Sequence, residues 1–230
     1  MININLNDMR DFFKFSLSVF LMGFALISCE KDDEQDQLPA LEPVKPRELV
    51  ETRAWIGNQH LSNEYPSYYN FQDGKAFSDL DKAADFAFVS YNSVLKMMMV
   101  RLDKLTEEQE QALEKNGKEC KQEVRKTEFY IFPKSFKTTD FDTLTSPRAL
   151  ELRLIGAKLS VHPTSLEHGY FVSDEFGWSV GQLIGFKDQE GRAGVIKIED
   201  MRKVEDELLE GENKYAMRIV VKYDKYAEPR

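Results

Sequence analysis

The chain has 230 residues and carries 40 acids against 31 Lys and Arg, a formal net charge of −9. So acidic a balance opposes nucleic-acid binding, which needs clustered cations to displace counterions. Two cysteines and three histidines leave no set for a cysteine zinc site, a His-x-x-x-His metal helix or a disulfide framework.

The N-terminus reads in three zones. Arg10 and Lys14 supply positive charge, and Phe12 to Ile27 is mostly apolar. Leu26-Ile27-Ser28-Cys29 follows, with acids directly behind it in Glu30-Lys31-Asp32-Asp33-Glu34. The apolar stretch is shorter than the ~20 residues of a membrane span and suits a secretory signal. The small Ser28 before Cys29 resembles the bacterial lipobox, in which the cysteine becomes the lipidated N-terminus. The Lys-plus-acid run behind it resembles the lipoprotein export signal of Bacteroidetes-type bacteria. The expected organisation is therefore a signal peptide over 1–28, a lipidated Cys29 with an acidic, proline-bearing stalk over 29–46, and a folded part over 47–230. Lipid chains on Cys29 would hold the protein at the outer membrane, exposed on the cell surface. Cys120 then stands alone and reads as an inert thiol.

Turn signals and β-branched or aromatic runs dominate the folded part. Tyr68 to Phe71, the turn Asp73-Gly74 and Lys75 to Phe77 predict a hairpin. Asp85 to Tyr91 predicts a strand, and apolar residues on both parities predict that both its faces are covered. Val94 to Leu102, with Met97-Met98-Met99, is ambiguous by period and reads better as a strand.

Thr106-Glu107-Glu108-Gln109 matches a capping box, so a helix should run from there to about Asn116. Its charge makes it read as a surface insertion shielding a sheet edge. A strand around Phe129 to Phe132 stops at Pro133, and Ser146-Pro147 opens a short helix over 147–155. The acids of Asp140-Phe141-Asp142 read as a turn before that helix. Leu183 to Lys187 and Ala193 to Ile198 predict a second hairpin, and Tyr215 to Tyr223 a closing strand. The fold class expected is mainly β: one antiparallel domain with one or two short helices.

Two blocks carry a family resemblance. The segment YYNFQDGKAFSDLDKAADFAF resembles the opening of HmuY-like lipoproteins, and LIGFKDQEGRAGVIKIEDMRKV with YAMRIVVKY resembles their closing strands. The resemblance implies an all-β surface protein whose relatives bind haem through paired His or Met axial ligands. It makes His168, His162 and Met98, within the run Met97–Met99, the candidate haem ligands. Haem needs two donors on opposite faces of an apolar cleft.

No Gly-x-Ser-x-Gly elbow or phosphate-cradling Gly-Lys-Ser/Thr loop occurs, and acid pairs such as Asp140/Asp142 or Glu199/Asp200 are expected by chance among 40 acids. The chain therefore reads as a non-enzymatic surface binding or interaction protein, for which the HmuY-like resemblance implies capture of a haem-type ligand. The alternative is an accessory lipoprotein or adhesive module that captures a glycan or peptide for a transporter partner. Exposed aromatics would serve a glycan, with Trp55, Tyr65, Tyr68, Tyr69 and Trp178 as candidates.

Overall fold

A computed structural model describes residues 47–78, 83–91, 96–118, 125–160, 170–172, 179–204 and 214–226. They build two antiparallel sheets, so the β-rich expectation holds. Eleven strands are seen among the described residues: β1 (Leu49–Gly57), β2 (Tyr68–Asn70), β3 (Lys75–Phe77), β4 (Phe86–Tyr91), β5 (Lys96–Val100), β6 (Glu128–Ile131), β7 (Lys158–Leu159), β8 (Tyr170–Val172), β9 (Leu183–Lys187), β10 (Ala193–Lys203) and β11 (Tyr215–Asp224). The larger sheet has the order β1-β11-β10-β9-β6-β7 and the smaller β3-β2-β4-β5-β8. Three helices accompany them among the described residues: α1 (Glu107–Lys115), α2 (Thr138–Asp142) and α3 (Pro147–Ile155).

Strand alternation sends one parity of each sheet into a shared interior. Phe86, Phe88, Met97 and Met99 of the smaller sheet meet Phe129, Ile184, Phe186, Ile196, Ile198, Met217, Ile219 and Val221 of the larger one, all at most 2% exposed. The opposite parity of the smaller sheet is buried as well. Ala87, Val89, Met98 and Val100 pack beneath Leu102 and Leu113. This explains the apolar residues on both parities of β4, and strand pairing of Met97–Met99 with Ser90, Val89 and Phe88 settles the ambiguity of the methionine run.

The helix α1 forms through the capping box expected of it, Thr106 accepting from the Gln109 amide N–H. It does not shield an edge. Leu113 is wholly buried, and the Gln109 side chain donates to the carbonyl of Ser90 at 2.7 Å. Its apolar side closes the outer face of the smaller sheet, which a charge count alone hides because eight of its nine residues are not that leucine.

Among the described residues, the outer face of the larger sheet is covered over only part of its extent. Phe141, Leu144 and Leu150, from α2, α3 and their link, pack on Leu183, Val195 and Val220. The segment expected as a turn is thus a short helix with Phe141 inward. Asp140 accepts from the Lys137 amide at its start, and Lys222 Nζ donates to the carbonyls of Phe141, Asp142 and Leu144 at 3.0, 3.3 and 3.2 Å at its end. A lysine at a helix C-terminus satisfies carbonyls that have no intrahelical donor.

Candidate functional site: an arginine-bearing sheet face

Beyond α2 and α3 the outer face of β1, β11 and β10 carries a different set of side chains. In β1 the even positions Val50, Ala54 and Ile56 point to the interior, so Arg53 and Trp55 point outward. Trp55 stands opposite Arg218 of β11 in the ladder, and Arg218 stands opposite Asp200 of β10. The next rung holds Gly57, Ala216 and Arg202.

Arg202 faces outward because of a bulge. Ile196 and Ile198 point to the core, and strict alternation would carry Asp200 and Arg202 inward with them. The register slips between Ile198 and Asp200, leaving Glu199 as the extra residue. Met201 then turns to the core and Arg202 to the outer face. Re-aiming a side chain is a common use of a bulge.

The two small residues on its rung let the Arg202 side chain lie across the sheet. Its guanidinium carbon sits 4.3 Å from the centre of the Trp55 ring and 5.9 Å from that of Tyr65. Its NH2 group donates to the Tyr65 hydroxyl at 3.4 Å. Tyr65 is held close above Gly57, where a Cβ would come within 2.6 Å of the tyrosine Cβ. Arg218 approaches the same indole at 5.6 Å. Arg218 Nε also lies 2.8 Å from Glu199, which Arg53 meets at 3.9 Å. Trp55 is therefore half-buried beneath two guanidiniums and is not an open stacking platform.

No family model, characterised protein or solved structure matches this chain. What the site does must come from its own geometry.

A second charged cluster lies where β4 approaches the β9–β10 turn. Asp85 is wholly buried; it accepts from the Phe71 amide at 2.6 Å and faces Arg125 at 3.7 Å. Burial pushes its carboxyl up to about 7, against the Phe71 N–H and Arg125, which act the other way. Asp188 accepts from Arg192 Nε at 2.5 Å, and Glu190 pairs with both Arg125 and Arg192. A cavity of about 460 Å³ opens beside it between Lys126, Glu128 and Lys187. Asp188 and Glu190 are committed to the two arginines, and no group of three or more metal-ligating side chains occurs among the described residues. This cluster ties the turn to the body of the fold.

Lys118 is wholly buried, with Nζ donating to the Asn58 carbonyl at 3.0 Å and the Ser67 hydroxyl at 2.7 Å. Burial pushes the amine down to about 7.

The sequence candidates fare unevenly. Tyr68 and Tyr69 are 0% exposed, which removes them as a glycan platform. Their strand lies inside the smaller sheet, so Tyr69 enters the interior between the sheets and Tyr68 the layer beneath Phe77. Met98 is corrected likewise as a haem ligand, since its side chain is 2% exposed and packs with Val89, Leu102 and Leu113. Of the acid pairs, Asp142 binds Lys197 at 2.6 Å and Glu199 binds Arg218, so they hold structure. Cys29, Cys120, His162, His168 and Trp178 lie outside the described residues.

The aromatic half of the site, Trp55 and Tyr65, stood among the sequence candidates; its arginines did not. The available signal was the break in alternation at Glu199-Asp200, where a strand of apolar period two turns to consecutive charges.

Proposed function

We propose that this chain is a non-enzymatic capture protein, anchored at a bacterial outer surface through Cys29, and that it takes a saccharide on the uncovered part of its larger sheet. The observation that carries the reading is the convergence of Trp55, Tyr65, Arg202 and Arg218 from three neighbouring strands and a loop onto one outward face. Such a face offers guanidinium donors, a phenol, and the carboxylate acceptors of Glu199 and Asp200. Hydroxyl-rich ligands need donors and acceptors set close together. A transporter partner in the outer membrane would receive what is captured.

The geometry favours a saccharide over haem. The haem reading rests on the HmuY-like resemblance and on His162 and His168, and the burial of Met98 takes away its methionine.

Affinity electrophoresis through gels containing a panel of polysaccharides tests the reading. The expected result is retardation by at least one polymer, weakened in the Trp55→Ala variant, and a flat haemin titration. A saturable low-spin Soret shift with no retardation by any polymer would overturn it.

A further inference from the structure

We infer that the captured saccharide is acidic and that Arg202 grips its carboxylate; the inference rests on the capture reading above and names the ligand class of that same face. Three observations converge on Arg202.

First, its charge is unspent. Arg53 and Arg218 stand in ion pairs with Glu51 and Glu199, whereas among the described residues no carboxylate pairs with Arg202, whose one hydrogen bond goes to a neutral phenol. Second, it is held in place. Guanidinium faces stack on aromatic rings, and Arg202 has Trp55 and Tyr65 as its bed. An arginine so held gives up little rotamer freedom on binding. Third, it is exposed, with its remaining N–H groups free for the bidentate geometry that a planar carboxylate accepts.

The neighbours narrow the class. Glu199 and Asp200 lie within the same strand stretch and would repel a run of acidic side chains, yet they accept hydrogen bonds from hydroxyl groups. A ligand with one carboxylate among many hydroxyls, a uronic-acid polymer, fits both signs. An acidic peptide fits only the arginine. The net charge of −9 makes a local, unpaired guanidinium necessary for any anion to settle here.

The test compares polygalacturonate with its fully methyl-esterified form, the same backbone without the charge. Binding of the full-length protein in detergent micelles is followed by affinity electrophoresis and calorimetry. The expected result is tighter binding to the acid form, weakened on the order of tenfold to a hundredfold in Arg202→Gln and only partly restored in Arg202→Lys. Raised salt should weaken the wild type and leave Arg202→Gln nearly indifferent. An unchanged melting temperature for the glutamine variant shows that folding is not the cause. Equal binding to both polymers, untouched by Arg202→Gln, overturns the acidic assignment and leaves saccharide capture standing. Competition by polyglutamate as strong as by polygalacturonate overturns the saccharide class. Retardation by no polysaccharide at all overturns the capture reading itself.

Discussion

Phe71 and Phe186 stack face to face, ring centres 3.6 Å apart and planes 4° from parallel, and so join the β2–β3 turn of one sheet to β9 of the other. Gly194 lies opposite Phe186 in the ladder, and a Cβ there would fall 2.1 Å from the phenylalanine Cζ and 2.9 Å from the Lys222 carbonyl oxygen. Because Phe71 backs the ring, Phe186 has no room to yield. Gly194→Ala should therefore destabilise by about 1–3 kcal/mol through overpacking, and Phe186→Ala by roughly 3–5 kcal/mol through the cavity it leaves. Urea denaturation checks both. A neutral Gly194→Ala would show that the stack is looser than its geometry.

Lys118 and Asp85 set opposite pH slopes. The folded amine titrates near 7 against an ordinary 10.5, so the folded state binds fewer protons between those values. Its contribution is present above the unfolded pKa and is lost as pH falls through the folded one. Asp85 titrates near 7 against an ordinary 3.8, so its contribution is present at low pH and lost as pH rises towards 7. Together they create a minimum in stability near neutrality. Denaturation midpoints from pH 4 to 10 should show it. Lys118→Met should flatten the alkaline limb and Asp85→Asn the acid limb. A variant that leaves its limb unchanged would exclude that group as the source.

Lys222 terminates α2 by donating to three carbonyls. Lys222→Met keeps the aliphatic stem but strands those acceptors, and it should cost about 1.5–3 kcal/mol. The loss should be local first. Limited proteolysis near Thr143 is expected to speed up before the global melting temperature moves by a comparable amount.

How much of this was legible beforehand depended on range. Local grammar was readable: the Asp73-Gly74 hairpin, the Thr106/Gln109 capping box and Ser146-Pro147 all formed as their spacing implies. The strand β1 was not, because Leu49–Gly57 interleaves Glu51, Arg53 and Trp55 with inward residues and becomes a strand only by pairing with β11. The helix α2 is five residues long and is held by Lys222, 80 residues away, which no local window contains. The arginine-bearing face was half visible. Its aromatics stood out, but its arginines meet them only through the registers of three strands and one bulge.

That bulge makes a prediction of its own. Deleting Glu199 removes the one residue without a ladder partner, so the strand regularises with Met201 still inward and Arg202 still outward. Deleting Lys197 instead shifts paired residues to the wrong face. The Glu199 deletion should remain folded, losing the Arg218 and Arg53 contacts, while the Lys197 deletion should not accumulate as soluble protein. Circular dichroism and expression yield distinguish them. Equal tolerance would mean that the register is not set by the hydrophobic alternation.

The pairing of β1 with β11 also fixes how the molecule bears force. All nine residues of β1 are matched, from Leu49 against Asp224 to Gly57 against Ala216, and Arg47 clasps Asp224 and Glu151 just ahead of the first rung. A pull on Arg47 along the strand axis would act at right angles to the ladder hydrogen bonds. The bonds are then loaded side by side in shear instead of parting one after another like a zip. Trp55 rides near the far end of that strand, so a load taken up on the outward face would be carried along β1 towards Arg47.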